Sequence, residues 1–170
     1  MKRISVKINV FVAMICMLSL ISCGMARKSM VKKKISGTWE VYSGTVYNKH
    51  DLKVIYPESQ FDENLKWKLV ISDEKITKPA SDEYDHEQSA NYELYFGDEA
   101  MEKGRIEKKH QRRAAGTDDD ELIVLATNKK IIDERLFQIV NCTSDTLTIR
   151  FLSSSKFFNE HLYEYKLVRK

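Results

Sequence analysis

The chain has 170 residues, 42% of them hydrophobic and 31% charged, with 6 Gly, 2 Pro and 3 Cys. Those proportions point to one globular domain and exclude a collagen, a disordered tail and a disulfide-dense toxin. Of the 28 bases, eight lie in residues 1–34, where there is no acid, so residues 35–170 carry 20 bases against 25 acids. A body with a net charge of −5 is a poor candidate for a general nucleic-acid binder, which needs a basic face to neutralise phosphates.

The N-terminus has the three parts of a secretory signal. Lys2, Arg3 and Lys7 precede an apolar run from Val10 to Ile21, broken only by Ser19, and small residues come next around Ser22. The run is shorter than the roughly 20 apolar residues of a spanning helix, so it reads as a signal that is removed. Leu20-Ile21-Ser22-Cys23 resembles the lipobox of bacterial lipoproteins. The resemblance implies a signal peptide over 1–22, a diacylglycerol thioether on the Cys23 thiol and an acyl chain such as palmitate on the freed amine. Two or three chains, at about 0.8 kcal/mol per buried CH₂, make a durable anchor where one would be marginal. Residues 23–34 then read as the lipidated Cys and a basic tether. The tether lacks apolar periodicity and reaches roughly 35–40 Å if extended, its cations facing anionic headgroups. Gly24 to Lys28 contains no acid, whereas surface-exported lipoproteins of Bacteroides-type bacteria resemble one another in acidic residues after the Cys. The expected location is therefore the outer membrane, lipid-anchored and facing the periplasm.

Loss of Cys16 with the signal and alkylation of Cys23 leave Cys142 alone, so no intramolecular disulfide is expected. Cys142 sits in the turn-like run Asn141 to Asp145 without a local base to activate it, and reads as a free structural thiol.

From Ile35 onward apolar and polar residues alternate with period two. Trp39 and Val41 alternate with Glu40 and Tyr42; Trp67, Leu69 and Ile71 with Lys68; Tyr92, Leu94 and Phe96 with Glu93. Further strands are predicted over 121–127, 135–141, 146–152 and 161–168, with short ones at 53–56 and 75–78. Turns are expected at 72–74, 127–130 and 142–145. Residues 97–120, rich in charge and holding Gly104 and Gly116, read as a long exposed hairpin or mobile loop whose deletion from Gly104 to Gly116 would leave stability nearly unchanged. Eight or nine short strands without helix-strand alternation predict an all-β fold, an antiparallel meander closing into a barrel.

Gly37-Thr38-Trp39 at the start of the first strand, and a closing hairpin of Thr146 to Phe151 and Tyr163 to Leu167, are similar to the lipocalin-like domains of small lipoproteins from Bacteroides-type bacteria. The similarity spans residues 35–170. It implies a lipocalin-like barrel of about eight strands, a glycine that permits close approach at the barrel floor, and Trp39 as the plug of that floor. A basic side chain, Arg150 or Arg169, would stack on the ring. Alternation that points Ile149 and Phe151 inward points Arg150 outward.

Candidate chemistry is sparse. Asp82 to Glu87 gathers four carboxylates and His86 but lacks the alternating ligands and bend glycine of a Ca²⁺ loop. His50, His86, His110 and His161 show no metal-pair spacing. No nucleophile elbow, zinc-protease helix, C-x-x-C or phosphate loop occurs. The expectation is a non-catalytic protein without cofactor or metal. Trp39, Trp67, Tyr92, Phe96 and Phe151 are the candidate ligand-binding residues of a lumen holding an apolar small molecule. The alternative is an accessory, inhibitor or immunity lipoprotein of the envelope that binds a protein partner through its charged loops. Besides such a ligand or partner, the membrane is the expected contact through the lipid anchor, and nucleic acid is not.

Overall fold

The computed structural model describes residues 24–58, 67–104, 106, 110–115, 121–132, 134–151 and 161–170. Cys23 and the signal segment lie outside the described residues. Contact density divides the chain into residues 1–33 and residues 34–170.

Residues 24–35 are helical, α1, where the absence of an apolar stripe predicts an extended tether. Local propensity decides it: Met, Ala, Arg and Lys are among the better helix formers and no Gly or Pro interrupts them after Gly24. At 1.5 Å per residue the segment spans about 18 Å, half of its extended reach.

Nine strands come after it: β1 (Gly37–Asn48), β2 (Val54–Tyr56), β3 (Lys68–Ile71), β4 (Lys75–Lys78), β5 (Gln88–Phe96), β6 (Ile123–Ile131), β7 (Glu134–Cys142), β8 (Thr146–Phe151) and β9 (His161–Arg169). All pairings between them are antiparallel and sequential from β3 to β9. β1 pairs β3 on one side through Gly37 to Glu40 and β9 on the other from Trp39 to Asn48, which closes the sheet. The product is an eight-stranded, lipocalin-like antiparallel barrel, with β2 added to the far half of β1. Closure leaves few unpaired strand edges to recruit another chain.

The period-two pattern determines the contents of the barrel. Trp39, Val41, Leu69, Ile71, Ile76, Leu94, Leu125, Phe137, Ile139, Leu147, Ile149 and Leu167 are buried, and each such aliphatic side chain contributes about 1.5–3 kcal/mol through removal from water. A bulge at Tyr42, between Val41 and Ser43, shifts the alternation of β1 by one residue, so that Ser43 and Thr45 face outward and Gly44 inward.

Two predicted features move. The turn expected at 127–130 falls later, because β6 runs on to Ile131 and the chain reverses through Ile132 at φ 52°. Thr127 closes this irregular end with its hydroxyl, which donates to the Lys129 carbonyl at 2.7 Å. Residues 97–120 are not a free loop in their described part. Gly97–Gly104 forms α2, with Asp98 and Glu99 in its first turn and Lys103 in its last, the order the helix dipole favours. Ala100 packs with Ile106, Leu122 and Val124 in a small second core on the barrel's outer wall. Residues 110–115 then lie along that wall: Ala115 donates to the Val140 carbonyl at 3.1 Å and accepts from the Cys142 amide at 2.8 Å. This strap extends the sheet beside the end of β7, beyond the start of β6. Its removal would take away the buried His110 and Ala114 and uncover Cys142, so the near-neutral deletion expected from composition does not hold for these residues.

Candidate functional site

One end of the barrel is closed by the residues that the sequence singles out. Trp39 is fully buried, and its indole Nε1 donates to the Ile35 carbonyl at 2.7 Å. Arg169, two residues beyond Leu167 and on the same face of β9, lays its guanidinium over the indole with Cζ 4.3 Å from the ring centroid. Arg169 donates to the carbonyls of Ser36 at 2.6 Å, Lys34 at 2.8 Å and Ser144. It thus ties together Lys34 and Ser36, just ahead of β1, and the β7–β8 turn. Gly37 is required twice over. Its φ is 144°, and a Cβ there would stand 2.3 Å from Arg169 Nη1. Of the two candidate cations, Arg169 is the one on Trp39.

Above this floor the interior is filled. The space between Ile35, Leu69, Ile71, Ile76, Leu125, Phe137, Ile139, Leu147 and Ile149 is about 10 Å³, at or below what a single water occupies. The floor half of the barrel is a packed core.

The five candidate lumen residues separate accordingly. Trp39 is the floor plug. Tyr92 is buried and hydrogen-bonded, its hydroxyl donating to the Ser72 carbonyl at 2.8 Å, so it anchors the β3–β4 turn. Phe96 is half-buried at the end of β5. Trp67 and Phe151 come together through Tyr165: the Trp67 and Tyr165 rings meet edge-on at 5.3 Å, and Phe151 and Tyr165 lie 5.2 Å apart. Phe137 joins Phe151 at 5.1 Å, and Tyr163 stacks parallel to Tyr165 at 6.5 Å. Such offset and edge-to-face pairs each add about 0.5–1.5 kcal/mol beyond area burial. Trp67, Tyr163 and Tyr165 are only partly buried. This inward-facing aromatic cluster, toward the end of the barrel away from Trp39, is the candidate site. Phe137, Tyr163 and Tyr165 are the members that residue type alone does not single out, although Tyr163 and Tyr165 share the inward period of Leu167. Burial raises the pKa of both phenols, with the neighbouring Tyr56 adding to the effect on Tyr163 and Tyr163 to that on Tyr165. They are neutral hydroxyl donors at physiological pH.

The charged turn at 82–87 is organised by its own backbone. Asp82 accepts from the Tyr84 and Asp85 amides at 2.8 and 3.0 Å. Asp85 pairs with Lys78 and accepts from the Ser81 amide and hydroxyl. Those contacts, Lys78 foremost, hold the Asp85 carboxyl far below the usual range. Among the described residues no group of three or more His, Cys, Asp or Glu side chains is placed to hold a metal. Cys142 is free and buried, and burial raises its thiol pKa, the reverse of the shift that activates a nucleophile.

Tyr92 carries a pH prediction. Burial, with the Asp73 carboxylate behind it, raises its pKa from 10.0 to about 12. The unfolded chain therefore releases this proton first, and the folded chain holds it longer. Stability is intact below the unfolded value and falls as pH rises through the folded one. Tyrosinate absorbance of the native protein should show a component titrating near 12 that Tyr92→Phe removes. A native titration identical in wild type and Tyr92→Phe would contradict the buried placement.

Comparison with protein-family models, with curated proteins and with solved structures finds no match to this chain.

Proposed function

We propose that the chain is a lipid-anchored cell-envelope protein, held in the outer membrane facing the periplasm through Cys23, whose lipocalin-like barrel is a non-catalytic binding domain. The observation that carries the binding reading is the aromatic cluster above a packed floor, in which Trp67, Tyr163 and Tyr165 are partly exposed around the buried Phe151. A barrel built only for stability places Tyr and Trp where their polar tips meet a partner within the fold. Rings that meet edge-on, with phenol hydroxyls among them, suit an apolar small molecule with a planar portion and a polar group. The packed floor restricts such a ligand to the end of the barrel away from Trp39.

A second reading, an accessory, inhibitor or immunity lipoprotein that engages a protein partner, has its own support. Tyr84 is 86% exposed at the tip of the charged 82–87 turn, and exposed aromatics on ordered turns are common anchors of protein interfaces.

Cys23→Ala should shift the protein from the membrane to the soluble fraction, and labelling of intact cells by an impermeant reagent would sink the periplasm-facing assignment. Mass spectrometry of organic extracts of the purified protein separates the two binding readings. A bound compound that is lost in Trp67→Ala supports the barrel ligand. An empty barrel together with a co-purifying protein lost in Tyr84→Ala supports the partner.

A further inference from the structure

Because residues 24–35 are helical, the segment next to the anchor presents distinct faces, which an extended tether would not. At 100° per residue, Met25, Ser29 and Lys33 form one line along α1, with Ala26 and Met30 beside it and buried Val31 on the opposite side. Met25 is 63% and Met30 54% exposed, so both thioether side chains are open to the surroundings of the helix. Lys28 and Lys32 flank this face on one side, Arg27 and Lys34 on the other, and the helix contains no acid. Met25, Ala26 and Met30 thus bracket Ser29 and Lys33 on an otherwise cationic helix, and an acid-free helix whose exposed methionines stand among long basic side chains suits a membrane interface, the apolar tips at the headgroup boundary and the ammonium groups among anionic phosphates.

We propose that α1 lies flat on an anionic lipid surface, Met25, Ala26 and Met30 toward the acyl chains, the Lys33 stem among them with its ammonium group reaching back to the headgroups, and Lys28 at the edge of that face, instead of standing off as a tether. Charge complementarity selects an anionic lipid surface over the α1 of a second copy, which would bring like charge against like. The inference rests on the lipid-anchor reading for its location, since Cys23 is next to Gly24 in the sequence, but its chemistry is independent of the anchor. A bilayer already held at residue 23 supplies the surface at high effective concentration.

The test uses the full-length protein as purified from membranes, placed on vesicles of phosphatidylcholine alone or with one part in three phosphatidylglycerol. Hydrogen exchange of the amides over 24–33 should slow by about ten-fold or more on the anionic vesicles, as two or more lysines at the surface imply. Barrel amides should not change. The protection should fall with added salt and disappear in Lys28→Glu/Lys33→Glu, and Met25→Ser/Met30→Ser should weaken it at unchanged charge. Equal exchange on both vesicle types, or protection that survives the double charge reversal, overturns the proposal. Intact mass reports lipidation separately: a chain without lipid whose helix is still protected on anionic vesicles would overturn the anchor and leave this inference standing.

Discussion

Trp39→Ala is expected to lower the unfolding free energy by about 3–5 kcal/mol, the range for removing a large, fully buried aromatic side chain. Several contributions act in the same direction. The indole leaves a void at the barrel floor, the Ile35 carbonyl loses its donor at 2.7 Å, and the Arg169 guanidinium loses the ring beneath it. Urea unfolding followed by far-ultraviolet circular dichroism gives the number, and the native spectrum should be strand-dominated. A loss below about 1 kcal/mol would mean that the indole is solvent-exposed, and the floor assignment would fall with it. Trp67→Ala serves as the internal comparison. Trp67 is only half-buried, so its truncation should cost less stability while removing a wall of the aromatic cluster.

The contrast between those two tryptophans also marks how much is legible in the sequence. Strand positions follow from alternation because one face of each strand meets a dry interior and the other meets water, so the nine strands fall close to their predicted places. Trp39 is legible for the same reason, with Gly37 beside it. The features that escape are the ones where the outer wall is itself covered. Val124 and Arg150 break the inward-outward code by being buried on the outer face, beneath α2 or the strap. No periodicity in 97–120 announces this, because the covering segment contacts the wall through isolated residues, Ala100, Ile106, His110 and Ala114, set among charges. The helix at 24–35 escapes a reading based on apolar stripes, because backbone propensity governs there. The aromatic cluster is half legible: Trp67 and Phe151 stand out as residue types, but their joining through Tyr165 depends on the stagger of β3, β8 and β9 around the barrel, which a sequence does not display.

The covered outer wall yields the second large effect. Arg150 is 2% exposed, and its Nε and Nη2 both donate to Glu164 Oε2, at 3.0 and 2.5 Å. Its Cζ stands 5.6 Å from the Tyr47 ring, and Nη1 reaches toward the His110 carbonyl of the strap. Glu164 is the directly opposed residue on β9, and Gln138 on β7 occupies the same outward row. Gln138 in turn donates from Nε2 to the Arg112 carbonyl at 3.0 Å, so the strap is held against the wall by the row it covers. Desolvating two charges is costly, and the pair is tolerated because each satisfies the other. Arg150→Met should therefore cost about 3–5 kcal/mol by leaving the Glu164 carboxylate without its partner, with partial access of water at Glu164 favouring the lower end. Arg150→Met/Glu164→Leu should recover most of that loss, because two apolar side chains of similar volume need no partner. The strap reports the same event locally: in Arg150→Met the amides of residues 110–115 should exchange faster, while those of β3 and β4, across the barrel, keep their protection. A double variant no more stable than Arg150→Met would show that the cost arises from lost packing of the arginine stem, and not from the stranded charge.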